Sequence, residues 1–182
     1  MLPTLKAPLE EGVVTKLRAG DRVEVNGTIY TARDAAHRRL NELIENGAPL
    51  PFDLQGQIIY YMGPTPAPPG RVIGAAGPTT SSRMDIYTPA LVSRGLRASI
   101  GKGKRSEQIK KLCCENLFVY LVALGGAGAL LSQHIRNCRL LTYEDLGPEA
   151  VHILEVRRFP AVVCYDCHGG DLYEQGRKEW CV

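Results

Sequence analysis

Three cationic side chains, Arg33, Arg83 and Lys102, stand where predicted helices begin. Thr31 and Thr80 are predicted N-caps, so each arginine falls in a first helical turn, and the lysine lies in a glycine loop before a third helix. A cation there faces the positive end of the helix dipole, at a cost on the order of 0.3–1 kcal/mol. Three such placements indicate an anion site, because free backbone N–H groups and arginine side chains bind carboxylates or phosphates.

The alternative is that each of these side chains simply extends into solvent. Gly77, Gly101 and Gly103 favour a site, because glycines let the backbone approach a small ligand closely. A phosphate loop or a dinucleotide site is disfavoured, because the G-x-x-x-x-G-K-[ST] and G-x-G-x-x-G strings are both incomplete.

Four further residues are candidates for supporting these cations. Asp34 is either a capping-box partner of Thr31 or a partner of Arg33. His37, one turn later, either orients Arg33 or is an ordinary partly buried histidine. Asp85 is placed to orient the arginine two positions before it, and Thr80 is a cap that could also stand behind the site.

The elements that must position these residues alternate between strands and helices. Residues 4–8 form a predicted strand, and Asn26-Gly27 is a hairpin turn between two strands. A helix with the 3.6-residue period follows the Thr31 cap and ends at Gly47. Further strands are expected at residues 57–62, 96–100, 118–124, 139–143, 151–156 and 161–165. Further helices are expected at residues 80–94, at residues 106–116 and in a short segment ending near Gln133.

This order predicts an α/β fold with a mainly parallel central sheet, while the hairpin and the late strands predict an additional β layer. Ligands bind at the carboxyl edge of such sheets, so the three cations are expected to meet there. The length of 182 residues predicts one domain, residues 1–182.

Composition excludes several classes of protein. With 45% hydrophobic and 23% charged residues, the chain is not expected to be disordered. The longest uncharged apolar stretch, residues 117–131, is interrupted by glycines and is shorter than the roughly 18–20 residues that a membrane span needs. No export signal opens the chain, which favours a cytoplasmic protein with reduced thiols.

A basic stretch offers a competing interpretation. Residues 94–111 contain a single acid, Glu107, and seven cations: Arg94, Arg97, Lys102, Lys104, Arg105, Lys110 and Lys111. A net charge of +3 is too small to indicate nucleic-acid binding by itself, and a solvated basic face is the simpler explanation. Cys164-Tyr-Asp-Cys167-His168 matches a haem-attachment string, but attachment normally follows export, and no second ligand pair suggests zinc. No metal site is expected on this chain.

Four strings occur in a fixed order: Thr31-Ala-Arg-Asp-Ala-Ala-His, Tyr60-Tyr-Met-Gly-Pro, Gly77-Pro-Thr-Thr-Ser-Ser-Arg-Met-Asp and Ile100-Gly-Lys-Gly. Together they resemble the β subunit of iron–sulfur class I fumarases and of L(+)-tartrate dehydratase, over nearly the whole chain. The resemblance implies a swivelling β/β/α three-layer domain, which forms the C-terminal part of single-chain homologues. It also implies reversible hydration of fumarate to L-malate, a tricarboxylic acid cycle reaction, at a site shared with an α subunit.

The resemblance further implies roles for individual residues. Arg33, Arg83 and Lys102 match positions that bind the substrate carboxylates, and Thr79 matches the proposed base that takes the C3 proton of malate. The [4Fe-4S] cluster is implied to belong to the α subunit in an α2β2 assembly, with none bound by this chain alone.

Several alternatives remain open from the sequence. The segment between Arg83 and Lys102 is one residue shorter than in some single-chain fumarases, so Lys104 could be the substrate lysine. The resemblance extends to tartrate and mesaconate dehydratases, which share the scaffold, so either compound could be the substrate instead of fumarate. A noncatalytic swivelling domain that binds an anion or regulates a partner is the alternative from another class.

Overall fold

The structure, a computed structural model, describes residues 2–180 and combines helices with a seven-stranded sheet. The strands are β1 (Thr4–Ala7), β2 (Arg22–Thr31), β3 (Ile58–Tyr60), β4 (Ala98–Gly101), β5 (Val119–Val122), β6 (Ile135–Thr142) and β7 (Val151–Tyr165). The α-helices are α1 (Glu11–Val14), α2 (Asp34–Glu45), α3 (Thr88–Ser93), α4 (Glu107–Asn116), α5 (Gly128–Ser132) and α6 (Leu172–Trp180). Two 3₁₀ helices span Ser81–Met84 and Glu144–Glu149.

Five of the strands close into a barrel. Strands β2, β3, β4 and β5 lie side by side and parallel. The 15-residue β7 pairs antiparallel with both β5 and β2 and so closes the ring. Strand β1 extends the sheet parallel to β2, and β6 extends it antiparallel to β7. The mixed α/β class is therefore confirmed.

The additional β layer that the sequence predicted is not a separate sheet. Every named strand within residues 2–180 belongs to this one sheet. The two late strands predicted at residues 151–165 are one continuous β7, which pairs with both β5 and β2 and closes the barrel instead of forming a sheet of its own.

The predicted hairpin at Asn26-Gly27 is wrong, because β2 runs straight through it. Gly27 has φ +99°, and the register with β7 shifts between Val25 and Gly27, which marks a β-bulge. A Cβ on Gly27 would lie 2.8 Å from the carbonyl oxygen of Ala7 in β1. Glycine is therefore needed here for a close approach between strands, not for a chain reversal.

The predicted end of α2 is confirmed, whereas the helix predicted at residues 80–94 differs from the structure. Helix α2 ends as expected, with N–H donation from Gly47 to Ile44 O and from Ala48 to Leu43 O, the pattern of a Schellman cap. The helix predicted at residues 80–94 is instead a 3₁₀ turn followed by α3. Pro89 lies in the first turn of α3, because it has no N–H with which to continue an earlier helix. Helix α6 was not predicted.

The core follows the alternation of the strands. One face of the sheet buries Val25, Ile58, Tyr60 and Leu121 in one apolar cluster. The other face buries Ile59, Tyr61 and Tyr120 against helix residues such as Leu40, Leu91 and Ile109. Helices α2, α3 and α4 therefore pack on the outside of the parallel strands, and each strand-to-helix connection leaves the sheet at the same edge.

Candidate active site

The carboxyl ends of β2, β3, β4 and β5 form one edge of the barrel. Arg33 follows β2 by two residues, and Lys102 follows β4 directly. Tyr61 follows β3, and its backbone N–H donates to Ile100 O in β4 at 2.8 Å. The parallel topology thus places two of the predicted cations on the edge where α/β proteins bind ligands.

The threonine segment, residues 79–83, inserts between the exits of β3 and β4. The N–H of Thr79 donates to Tyr61 O at 2.7 Å, and the N–H of Lys102 donates to Thr79 O at 3.2 Å. The N–H of Ser81 donates to Lys102 O at 2.9 Å. Backbone hydrogen bonds therefore hold Thr79 and Lys102 side by side.

The lysine loop, residues 101–104, packs closely on its neighbours. A Cβ on Gly101 would overlap the hydroxyl of Ser81, so the two loops meet without space for a side chain. A Cβ on Gly125, just beyond β5, would lie 3.6 Å from Lys102 Cδ. The stem of the lysine therefore lies at the exit of β5, at a glycine that leaves it room.

Arg33 occupies the N-cap position of α2, with a side chain 24% exposed. Its Nη2 lies 2.9 Å from Glu149 Oε1, and its Nε is buried without a hydrogen-bond partner. A Cβ on Gly63, beyond β3, would lie 3.2 Å from Arg33 Cδ, so the arginine lies over the exit of β3. The guanidinium has two acidic neighbours, Glu149 and, at 3.9 Å from Nε, Asp34, and it keeps donor capacity for a ligand.

Glu149 is a residue of this edge that the sequence did not reveal. Its Oε2 accepts the backbone N–H of Ala35 at 3.1 Å, so one carboxylate binds both a free donor at the start of α2 and the guanidinium of Arg33. It arrives from the 3₁₀ helix before β7, far away in sequence, and no local pattern marks it.

The start of α2 differs from the predicted capping box. Thr31 is the last residue of β2, and its hydroxyl accepts the N–H of His152 at 2.9 Å. Asp34 is the first helical residue, with Oδ1 3.9 Å from Arg33 Nε and no hydrogen-bond partner. The cap function predicted for Thr31 and Asp34 is performed by Glu149, because the chain leaves the strand two residues later than expected.

His37 is fully buried, and its ring contacts the backbone of Arg33, not the guanidinium. The Nδ1 atom lies 2.9 Å from Arg33 O, which can only accept, so Nδ1 carries the proton. The ring packs edge-on to Tyr61 with centroids 5.1 Å apart. Burial lowers the pKa of His37 to about 4, so the ring is neutral at neutral pH and acts in packing and in fixing the N-terminus of α2.

Arg83 and Lys102 are exposed cations. Arg83 is on the 3₁₀ helix Ser81–Met84, which contacts α2, the helix that Arg33 begins. Thr80, at the N-cap position of that 3₁₀ helix, makes no side-chain cap and pairs with Lys102 through the backbone. Within residues 2–180, neither Arg83 nor Lys102 forms an ion pair. Both charges are therefore available to an anion.

The expectation that Asp85 orients Arg83 is wrong, because Asp85 binds other partners. Its Oδ1 accepts from Arg105 Nε at 2.7 Å, and its Oδ2 accepts the N–H of Ser106 at 2.8 Å. Arg105, which the sequence placed among solvated cations, is only 3% exposed. Burial alone would lower the pKa of Arg105, but the electrostatic interactions with the neighbouring Tyr61 and Asp85 side chains outweigh it and raise the pKa. The aspartate is drawn inward because an unpaired buried guanidinium would be costly.

The described cysteines do not fit an iron–sulfur cluster or another metal. Residues 2–180 contain no group of three or more His, Cys, Asp or Glu side chains that could hold a metal ion. Burial raises the pKa of Cys113 and raises that of Cys164 to about 12, which disfavours the thiolate that a metal needs. In the haem-like string, His168 Nε2 donates to Thr15 O at 2.8 Å, and Cys167 Sγ lies 3.8 Å from Val14 O.

Comparisons with known proteins now define the family. A family model described as the fumarase C-terminus matches residues 4–176. The chain belongs to this family, and the resemblance drawn from its motifs is confirmed. It corresponds to a β subunit or C-terminal domain of hydro-lyases. None of the helices within residues 2–180 is long and apolar enough to cross a membrane.

Relatives of known name fall into two kinds. The chain is 38% identical to "Fumarate hydratase 2" of Leishmania major and 36% identical to "Fumarate hydratase class I, aerobic" of Escherichia coli K12. These matches cover 94% and 98% of this chain but only 31% and 33% of those proteins, so the chain spans about a third of their length. It is also 40% identical to "Putative L(+)-tartrate dehydratase subunit beta" of Methanocaldococcus jannaschii, with 91% of this chain and 88% of that protein covered.

Proposed function

We propose that this chain is the β subunit of a two-subunit hydro-lyase that interconverts L-malate and fumarate plus water. The observation that carries the proposal is the backbone pairing of Thr79 with Lys102 at the barrel edge that also holds Arg33. That arrangement combines a hydroxyl, a free lysine and an arginine with spare donors on one surface, which suits an anionic substrate with an acidic C–H bond.

The cations of this edge would bind the two carboxylates. Removing a dianion from water requires close positive partners, since burying an unpaired charge is costly. We assign Arg33 and Arg83 to the planar, bidentate recognition that a guanidinium provides, and Lys102 to a compact third charge. Negative charge grows on the carboxylate next to C3 as the proton leaves, so fixed cations there stabilise the transition state more than the ground state.

Thr79 would take the C3 proton of malate as its alkoxide. A threonine hydroxyl is a weak base in water, but adjacent cations and N–H groups favour its ionised form. The backbone of Thr79 is fixed on both sides, by Tyr61 O and by the N–H of Lys102, so the hydroxyl sits on a rigid support. The alternative is that Thr79 only hydrogen-bonds substrate, and a variant without the hydroxyl separates the two roles.

The rest of the assembly belongs to the same proposal. We place the [4Fe-4S] cluster on an α subunit, since the cysteines within residues 2–180 do not fit it, and we propose an α2β2 enzyme located in the cytoplasm. Residues 1–182 would form one domain, the swivelling β/β/α domain of the family. Arg83 and Lys102, which form no ion pair with the described part of the chain, would face the α subunit across the substrate.

A second substrate is favoured by one comparison. The relative that matches this chain over most of its own length is named as a tartrate dehydratase subunit, and it shares the separate-subunit size. L(+)-tartrate differs from malate by one hydroxyl, and the same carboxylate contacts would bind both.

Reconstitution tests the proposal. The chain is combined with its α subunit under anaerobic conditions and assayed with L-malate, L-tartrate and mesaconate. We expect turnover of L-malate, and faster turnover of L-tartrate would select the second candidate. Absence of turnover with all three would refute the proposal. In the active complex, Thr79→Ala should lose kcat while substrate still binds, whereas a near-normal kcat would exclude the base role.

A further inference from the structure

Beneath the proposed substrate edge lies a buried polar network that joins the threonine segment to the lysine loop. Its central members are Arg105, Asp85 and Tyr120, which are 3%, 8% and 0% exposed. None of them is part of the proposed substrate contacts. Buried polar groups of this kind persist when they fix one arrangement of the chain, so their partners show what they hold in place.

Arg105 ties together the far ends of the two loops. It follows the lysine loop directly, and its Nε donates at 2.7 Å to Asp85, which follows the threonine segment by two residues. The other side of the guanidinium donates to Thr88 Oγ1 at 2.7 Å, Ser99 Oγ at 3.1 Å and Tyr61 Oη at 3.2 Å. The guanidinium also lies 5.4 and 5.3 Å from the rings of Tyr61 and Tyr120. One buried side chain thus contacts the elements on both sides of the site.

Tyr120 joins the same two loops at their centres. Its hydroxyl donates to Gly103 O in the lysine loop at 2.7 Å and lies 2.9 Å from Ser81 Oγ in the threonine segment. Since a phenol has a single proton, Ser81 is the donor in the second contact. The hydroxyl is therefore a bridge between the segment that carries Thr79 and the loop that carries Lys102.

The close packing of the loops makes this bridge sensitive. The site of a Cβ on Gly101 is already occupied by the Ser81 hydroxyl, so the loops touch and any shift of one displaces the other. Placement errors of about 1 Å in a catalytic group can lower a rate about 100-fold. The network is consequently in a position to set a rate without contacting substrate.

We infer that Tyr120, with the Arg105–Asp85 pair, is a positioning unit that sets the spacing between Thr79 and the cations of the dicarboxylate site. This inference rests on the proposed function and adds residues to it. Arg33 lies on a different element, so loss of the bridge should leave part of substrate binding intact and should act mainly on the proton-transfer step.

The test is the Tyr120→Phe variant in the reconstituted complex. Phenylalanine keeps the buried ring and removes only the bridging hydroxyl, so the fold is retained. The matched control is Ile135→Val, which removes one methylene from a buried residue of β6, away from the site edge. Thermal unfolding of both variants is measured, and kcat and KM for L-malate are measured at a temperature where both are fully folded.

We expect Tyr120→Phe to lower kcat at least 10-fold with KM changed less than 3-fold, and we expect Ile135→Val to keep both constants near wild type. A wild-type kcat in Tyr120→Phe would overturn the inference, as would an equal kcat loss in the control, since activity would then follow stability alone. If the wild-type complex turns over none of the three dicarboxylates, the proposed function itself fails and the inference fails with it. An active wild type with an unaffected Tyr120→Phe overturns the inference only.

Discussion

Replacing Asp85 by asparagine should destabilise the fold, because it leaves the buried positive charge of Arg105 without its partner. Asp85 and Arg105 have side chains 12% and 0% exposed, and their Oδ1 and Nε atoms lie 2.7 Å apart. The substitution Asp85→Asn keeps the shape and one oxygen acceptor, but it removes the negative charge that neutralises the buried guanidinium. It also leaves an amide group where the N–H of Ser106 now finds a carboxylate oxygen.

The magnitude follows from the burial of the pair. Removing one partner of a buried ion pair costs about 3–5 kcal/mol, because the other charge stays behind unpaired. The retained oxygen places Asp85→Asn near the lower end, at about 3 kcal/mol. For a chain of this length, each kcal/mol lowers Tm by roughly 2–4 °C, so Tm should fall by roughly 6–12 °C.

Circular dichroism during thermal unfolding of the 182-residue chain measures this shift. The matched control is Asp145→Asn, which breaks a two-contact pair with Arg39 at 2.8 and 2.5 Å, but on the surface, where the aspartate side chain is 63% exposed. Exposed pairs contribute little because solvent screens them, so the Tm of the control should stay at that of wild type. Equal Tm shifts in the two variants, or no shift in Asp85→Asn, would refute the argument that burial decides the strength of the pair.

Three further predictions address the site edge. Lys102→Ala should lower kcat/KM for L-malate about 100-fold or more, the range for a lost transition-state contact, whereas Lys104→Ala should leave it unchanged. Glu149→Gln should lower KM several-fold, because it removes a negative charge beside Arg33 while an oxygen still accepts the N–H of the α2 N-terminus. Because burial lowers the pKa of His37 to about 4, below the usual 6.5, the unfolded state gains a proton first as pH falls. The free energy of unfolding should therefore have its full value above pH 6.5 and fall by about 1.4 kcal/mol per pH unit towards pH 4. His37→Gln should flatten this slope.

Each of these has a comparison that could contradict it. A loss confined to Lys104→Ala would move the substrate lysine to the other end of the loop. A higher KM in Glu149→Gln, with the neighbouring Glu144→Gln unchanged, would mean that the carboxylate holds the arginine in its active position. Burial also lowers the pKa of His152, so this histidine could contribute to the loss of stability at low pH. Urea titrations at several pH values should therefore compare His37→Gln with His152→Gln. An unchanged slope in the first variant would exclude the buried histidine as its source.

The parallel part of the fold could be predicted because local patterns determine it. Apolar runs of strand length alternate with helical periods, and glycine ends α2 where its cap chemistry requires it. Parallel strands then bring their carboxyl ends to one edge by topology alone, which is why the positions of Arg33 and Lys102 on that edge follow from the sequence.

Closure of the barrel could not be predicted, because it depends on pairings between distant segments. The Asn26-Gly27 pair has the local chemistry of a hairpin turn, but partners on both sides, β1 and β7, keep the strand extended and turn the glycine into a bulge. A turn motif in the sequence does not reveal whether two other strands will pair with the residues on either side of it.

The support of the site was missed for a related reason. Arg105 stands among six other cations of similar spacing, and only the burial of its environment separates it from Lys104 and the rest. Glu149 reaches the start of α2 from a connection more than a hundred residues later, which no window of sequence contains. The residues that we propose as substrate contacts belong to recognisable strings, whereas those that hold these strings in place are defined by the closed fold.

The central claim is that exposed cations of this edge bind the carboxylates of a dicarboxylate substrate. The most direct measurement is kcat/KM for L-malate of the reconstituted complex with Arg83→Ala, beside Arg94→Ala, an exposed arginine at the end of α3. Loss of a charge that acts in the transition state predicts a decrease of about 100-fold or more in the first variant and no change in the second. A wild-type kcat/KM in Arg83→Ala, or the same decrease in both variants, would contradict it.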